Sequence, residues 1–195
     1  MTTDRSLDRK LAVPALIGDP SDLLIVAGLA GTAKDIAALT GESPNVFLMG
    51  GAMGAAVPFA MGLAYSQPNR RVLAVTGDGD LMMSIGILST IGVMQPPNLA
   101  VLCVDNGHYG ETGYQAGHTS RGVDLDKIAQ GSGIATTHTV STEADYEAAA
   151  QSLRNSNGPA FVWLRVTSAR PPAYKRNFDA VERKAVFRRA LLGEE

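Results

Sequence analysis

Asp78 lies between two glycines in the stretch 75-VTGDGDLMMSIG-86, where one apolar run ends and a second begins. Twenty-eight positions later, Asn106 opens 106-NGHYG-110. Glycine on both sides of Asp78 suits a chain that bends sharply and comes close to a ligand. Gly79 and Asp80 fall at the start of a helix predicted from Leu81, where free backbone N–H groups and the helix dipole attract a phosphate. A carboxylate in an anion site is a contradiction unless a cation bridges the two. A hard divalent ion such as Mg²⁺ resolves it, because the ion takes carboxylate and amide oxygens and leaves room for phosphate oxygens. The charge pattern agrees: Val72 to Ser120 contains no Lys or Arg, yet it holds Asp78, Asp80, Asp105 and Glu111. The lysine-bearing P-loop pattern is absent, and GDGDLM lacks the third glycine of the dinucleotide fingerprint.

Such a site needs strand ends side by side. Strand-like runs occur at 23–28, 45–49, 71–76, 99–105, 134–140 and 160–166, several of them continuous Val/Leu/Ile runs. Continuous runs are expected of parallel strands covered on both faces. Helix-like segments lie between them at 32–40, 52–66, 81–94, 124–133 and 143–155, the last opened by Ser141 or Thr142 and acidic residues. This rhythm predicts an α/β fold, an open and mainly parallel sheet with helices on both faces. The chain reads as one domain over 1–195, with a core at about 20–166 and a C-terminal helical extension, 167–195. Ligands in such sheets sit beyond the carboxyl ends of the strands. Both 77-GDGD-80 and the 17-residue loop 106-NGHYGETGYQAGHTSRG-122 fall there.

Composition excludes several classes. Apolar residues make up 45% of the 195, and the net charge of −2 gives no reason to expect nucleic acid or anionic lipid. A single cysteine, Cys103, excludes a disulfide framework and a cysteine-ligated cluster, and fits a reducing cytoplasm. The charged start MTTDRSLDRK is not a signal peptide. The uncharged stretch 47-FLMGGAMGAAVPFAMGLAY-65 carries four Gly and one Pro, and reads as a buried helix against the sheet rather than a membrane span.

Gly77-Asp78-Gly79, the spacing to Asn106, 51-GAMG-54 upstream and 106-NGHYG-110 downstream together resemble the thiamine diphosphate-dependent enzymes, in their diphosphate-binding domain. Within that family the chain is similar to the β subunits of sulfopyruvate decarboxylases and to phosphonopyruvate decarboxylases, over about 20–165, including 88-LSTIG-92, 96-PPNL-99 and 109-YGETGYQAGHTS-120. The resemblance implies that Asp78, Asn106 and the backbone carbonyl of His108 hold Mg²⁺. It places the diphosphate of thiamine diphosphate against Gly77, Asp78 and the N–H groups around Gly79, Asp80, Tyr109 and Gly110. Met53 becomes the apolar wedge beneath the cofactor, and the Gly51 carbonyl faces its aminopyrimidine. Asp80 and Glu111 depart from the small residues usual at those positions; Asp80 also reads as a cap on the following helix.

The resemblance further implies a 2-oxo acid decarboxylase acting on a short anionic substrate, of sulfopyruvate or phosphonopyruvate type. It implies a partner α subunit with the pyrimidine domain and its activating glutamate, in an α₂β₂ hetero-oligomer. Glu111 and His118 are the acid–base candidates of the long loop. His138 and Cys103 read as structural. Arg121 and Lys127 are candidates to meet a sulfonate or phosphonate. Two other readings stand beside this one: the corresponding subunit of a thiamine-dependent carboligase (acetolactate synthase-like) or oxidative 2-oxo acid enzyme, and a non-enzymatic metal- and nucleotide-binding module.

Overall fold

The computed structural model describes residues 5–193. Residues 1–4, part of the stretch read as no leader, lie outside the described residues. The chain opens with α1 (Arg9–Ile17), β1 (Leu23–Ala27), α2 (Ala30–Thr40), β2 (Val46–Leu48), α3 (Ala56–Ser66) and β3 (Arg71–Gly77). Two short helices, α4 (Asp78–Met82) and α5 (Ile87–Met94), lead to β4 (Leu99–Asp105). The long loop then forms a small hairpin, β5 (His108–Tyr109) and β6 (Gln115–Ala116). The chain closes with α6 (Leu125–Gly131), β7 (Thr136–Val140), α7 (Tyr146–Asn155), β8 (Ala160–Arg165) and α8 (Ala180–Leu192).

Six strands form one parallel sheet in the order β2-β1-β3-β4-β8-β7. Successive side chains alternate between its faces. Leu23, Ile25, Leu73, Val75, Leu102 and Val162 pack on one face in a cluster with residues of α1 and α7 and Ile36 of α2. Leu24, Val26, Val72, Ala74, Val101 and Phe161 pack on the other, with residues of α3, α5 and α6. Both faces are dry, which is why these strands read as continuous apolar runs rather than alternating ones.

Local signals set the helix starts. Asp124, Asp179 and Asp8 accept hydrogen bonds from the first-turn N–H groups of α6, α8 and α1. Ahead of α7, Thr142 and Asp145 form a reciprocal capping box. The helix predicted over 81–94 is instead two pieces, and the first begins at Asp78. The chain turns between them, where Ser84 Oγ donates to Gly54 O at 2.6 Å and ties the break to the preceding loop. The helix predicted over 52–66 starts at Ala56, because Gly54 takes a left-handed φ of 85°. Helix α1 was not legible, yet its Ala12, Val13, Leu16 and Ile17 are core residues.

The uncharged stretch 47–65 is divided between β2, a loop and α3, and no helix among the described residues is long and apolar enough to cross a membrane. Beyond the strands the chain path matters most. From β1 it moves out through α2 to β2, then crosses back through α3 to β3 on the other side of β1. Connections leaving neighbouring strands in opposite directions open a crevice at their carboxyl ends. Here that crevice lies between Gly28, after β1, and Asp78, after β3.

Gly92 marks the closest approach of α5 to the segment after α6: a Cβ there would lie 1.7 Å from Ser132 O, a backbone atom. Gly62 in α3 meets nothing within 4 Å. Gly92→Ala is therefore expected to lower stability by about 1–3 kcal/mol or more, whereas Gly62→Ala raises it by up to about 1 kcal/mol. Urea unfolding midpoints at constant slope measure both.

Candidate functional site

The β3–β4 register pairs Gly77 with Val104, so Asp78 and Asp105 leave adjacent strands side by side. Asp105 is completely buried and is held by four partners. Arg5 Nη2 donates to its Oδ1 at 3.1 Å and its Oδ2 at 2.9 Å. Thr119 Oγ1 (2.8 Å), the Gly107 N–H (2.7 Å) and Trp163 Nε1 (2.9 Å) complete the set. These bonds join the N-terminal segment, the loop after β4, the turn before α6 and β8 at one carboxylate.

Asp78 has no such company. It is buried, the nearest side-chain donor to it among the described residues is the distant Thr119 Oγ1 at 3.4 Å, and its other donors are its own N–H and that of Gly79. Burial, reinforced by the neighbouring Asp105 charge, pushes its carboxyl up to about 7, only partly offset by its own N–H, that of Gly79 and Arg5. A buried carboxylate with few donors beside another carboxylate is the environment that a divalent cation relieves. No cluster of three His, Cys, Asp or Glu side chains suited to a metal occurs among the described residues. A cation bound here would therefore draw on amide and backbone oxygens, and the residues present fit that requirement. Asn106 Oδ1 accepts from the His108 N–H at 3.0 Å and keeps a second lone pair. Gly107 turns the chain with φ of 72°, and its carbonyl is fixed by the Gly117 N–H and Ser120 Oγ, both at 2.7 Å.

Asp80 is not the cap of a following helix. The helix has already begun at Asp78, and no side chain caps it. Its carboxylate accepts from the Gly54 N–H and from Thr76 Oγ1 (2.9 Å), clamping the Gly51–Gly54 loop to the end of β3. In that loop the Gly51 carbonyl accepts from the Met53 N–H at 3.0 Å, and Met53 is exposed.

A cavity of about 850 Å³ gathers most of these groups. Met53, Gly77, Asp78, Gly79, Asp80, Asn106, His108, Tyr109, Gly110 and Glu111 line it, whereas Gly51 and His118 do not. His118 is nevertheless tied to the lining, since its Nδ1 lies 3.1 Å from Tyr109 Oη. The Tyr109 ring packs against Gly79 so closely that a Cβ there would sit 2.5 Å from the ring. Arg121 and Lys127 lie away from the cavity; Lys127 pairs with Asp124 at 3.2 Å on the surface. His138 bonds Ser152 Oγ at 2.8 Å, and Cys103 is buried mid-strand, where burial raises its thiol.

Sequence reading missed two walls. One is the N-terminal end of α2, Leu29–Thr32, with Lys34 and with Arg9 of α1; the other is the segment Arg170–Lys175. Gly28 at the end of β1 was the available signal for the first, because a Cβ there would meet Asp80 Oδ2 at 2.0 Å. Ala30, at the same wall, carries a left-handed φ of 59°, rare for a non-glycine residue. The Lys- and Arg-free stretch from Val72 to Ser120 thus faces cations delivered by distant parts of the chain.

The family described as thiamine pyrophosphate enzyme, C-terminal TPP binding domain, matches residues 31–164. Sulfopyruvate decarboxylase subunit beta of Methanocaldococcus jannaschii is 36% identical over 120 residues, which cover 62% of this chain and 63% of that subunit. Phosphonopyruvate decarboxylase of Streptomyces viridochromogenes is 33% identical over 147 residues, covering 75% of this chain and 36% of that enzyme. Among solved structures, the thiamine diphosphate-dependent 4-hydroxybenzoylformate decarboxylase of Rhodococcus jostii RHA1 shares the fold, with a TM-score of 0.66 at 21% identity. That match covers 86% of this chain and 34% of the other.

Asp105→Asn removes the counter-charge of Arg5 and sets an amide N–H₂ against donors. The expected loss is about 3–5 kcal/mol, as for a broken buried pair. Lys127→Ala, at a pair whose lysine side chain is 72% exposed, is expected to cost at most about 1 kcal/mol. Denaturant unfolding of the two variants against the parent chain measures the contrast.

Proposed function

The chain belongs to the thiamine pyrophosphate enzymes, through their C-terminal TPP-binding domain, and from that premise we propose that it is the cofactor-binding subunit of a 2-oxo acid decarboxylase. In this reading residues 1–195 form one diphosphate-binding unit. The substrate is a short anionic 2-oxo acid of sulfopyruvate or phosphonopyruvate type. The observation that carries the reading is Asp78: a buried carboxylate, pushed up to about 7 and placed beside Asn106 at adjacent strand ends, in a cavity large enough for a cofactor.

Asp78, Asn106 and the backbone carbonyl of His108 would hold Mg²⁺. The metal and the N–H groups around Gly79, Asp80, Tyr109 and Gly110 would bind the diphosphate, with Gly77 allowing its approach. Met53 would support the cofactor from below, and Gly51 would offer its carbonyl. When bound, thiamine diphosphate supplies a nucleophilic carbon for the keto group and accepts the electron pair left as CO₂ departs. The protein's own work is to hold that group, exclude water and handle the proton. Glu111 lines the cavity and is the direct proton donor in this reading. His118 acts on the site through the Tyr109 hydroxyl.

A partner subunit is part of the proposal. Phe59 and Tyr65 of α3 and Met83, Val93 and Met94 around α4 and α5 are exposed large apolar side chains. Tyr65 Oη bonds Met94 O at 3.0 Å, so the ends of these helices adjoin. Exposed apolar side chains grouped in this way mark an interaction surface, and the surface suits a pyrimidine-domain α subunit in an α₂β₂ assembly in the cytoplasm.

Calorimetric titration with thiamine diphosphate and Mg²⁺, with and without a pyrimidine-domain subunit, tests the proposal. Binding is expected to require Mg²⁺, to tighten with the partner, and to weaken at least about tenfold in Asp78→Ala. Metal-independent binding that ignores Asp78 would overturn the assignment.

A further inference from the structure

Three cations line the cavity with no ion-pair partner among the described residues. Lys34 comes from α2, and Arg170 and Lys175 come from the segment after β8. The remaining cavity arginine is satisfied: Arg9 Nε donates to both carboxylate oxygens of Asp35, at 3.0 and 3.1 Å, and both residues are buried. Asp80 is likewise occupied by Gly54 and Thr76. The charges left over in the cavity are therefore three cations from two separate segments, together with Asp78 and Glu111.

The segment that carries Arg170 and Lys175 is pinned at both ends. On one side, Val166 bridges to Leu7 and the Thr167 N–H donates to Leu7 O at 2.9 Å. On the other, the Asn177 N–H donates to Glu42 Oε1 at 2.8 Å, and Arg183 Nε stands 3.5 Å from Glu42 Oε2. Arg176 is buried beside them and feels the Glu42 charge. Pro171 and Pro172 fix two φ angles in the span between, which stiffens it. A stiff strap costs little further ordering when its cations meet a ligand. Like charges sharing a concave wall repel one another until an anion arrives.

We propose that Lys34, Arg170 and Lys175 form an anion-binding rim that takes the distal sulfonate or phosphonate of the substrate. The rim thereby selects a 2-oxo acid with a second anionic end. This deepens the decarboxylase reading and rests on it for the identity of the substrate. A tetrahedral oxyanion suits the set: guanidinium supplies a planar fork of donors and the two ammonium groups supply point charges.

The test is calorimetric titration of the full chain with sulfoacetate and phosphonoacetate, using acetate as the probe without a distal anion. Each is run with thiamine diphosphate and Mg²⁺ present. The variants are Arg170→Ala/Lys175→Ala and Lys34→Ala, with thermal melts to confirm folding. Sulfoacetate and phosphonoacetate are expected to bind more tightly than acetate. Both are expected to weaken about ten- to one-hundredfold in the double variant, while thiamine diphosphate affinity stays within about twofold. Sulfoacetate binding that is undetectable, or unchanged in both variants, would overturn the rim. So would an equal loss of thiamine diphosphate affinity, which would assign these cations to the cofactor's diphosphate. A parent chain that fails to bind thiamine diphosphate, yet holds sulfoacetate through Arg170 and Lys175, would sink the cofactor reading and leave the rim standing.

Discussion

The constraint on which the site depends is the carboxylate of Asp105, fully buried from solvent. A carboxylate fully removed from solvent is tolerated only when paired and fully hydrogen-bonded. Arg5, Thr119, the Gly107 N–H and Trp163 meet that demand, and in meeting it they fix four separate pieces of chain. Trp163 is itself covered by Arg165, whose guanidinium lies 5.1 Å from the ring centroid. Gly107, bonded through its N–H to Asp105 and through its carbonyl to Gly117 and Ser120, has little freedom left. Asn106 and His108, on either side of it, inherit that rigidity. The candidate cation ligands are positioned by a residue that is not one of them.

The sheet order makes this arrangement possible. Opposite crossovers at β1 and β3 leave an open crevice where Gly28 and Asp78 emerge, and the fixed register of β3 and β4 carries Asp105 to the same level. Into that crevice the chain brings two kinds of charge from different sources. The carboxylates come from consecutive strand ends. The cations come from α1, α2 and the segment after β8. A cavity so divided suits a ligand with a cation at one part and anionic groups at another.

How much of this was legible follows from distance along the chain. The strands over 71–76 and 99–105 stood out because both faces of a parallel sheet are dry, and their ends located Asp78 and Asn106 through a spacing that one crossover sets. The break within 81–94 was hidden, since it depends on Ser84 reaching Gly54, thirty residues away. Helix α1 was missed because Pro14 lies inside it and its apolar residues find their partners at a distance, in the sheet and in α2 and α7. Arg5, Lys34, Arg170 and Lys175 bear on the site through tertiary placement alone. Nothing local distinguishes them from solvated charges, which is why Arg121 and Lys127, nearer in sequence, drew attention instead.

Asp80 brings these levels together. A second carboxylate one residue beyond the Asp78–Gly79 turn would ordinarily crowd a cation site and add repulsion to a group already pushed up by burial. It is accommodated because its charge is turned to other use. The Gly54 N–H and the Thr76 hydroxyl accept the task of satisfying it, and Gly28, with no Cβ, gives it room, since any larger residue would meet Asp80 Oδ2 at 2.0 Å. The departure from a small residue at position 80 is therefore coupled to glycine at 28 and to the geometry of the Gly51–Gly54 loop. Removing the carboxylate would free that loop, and with it Met53, from the strand that sets Asp78. The residue that looked out of place in the sequence is the one that holds the Gly51–Gly54 loop to the strand end from which Asp78 emerges.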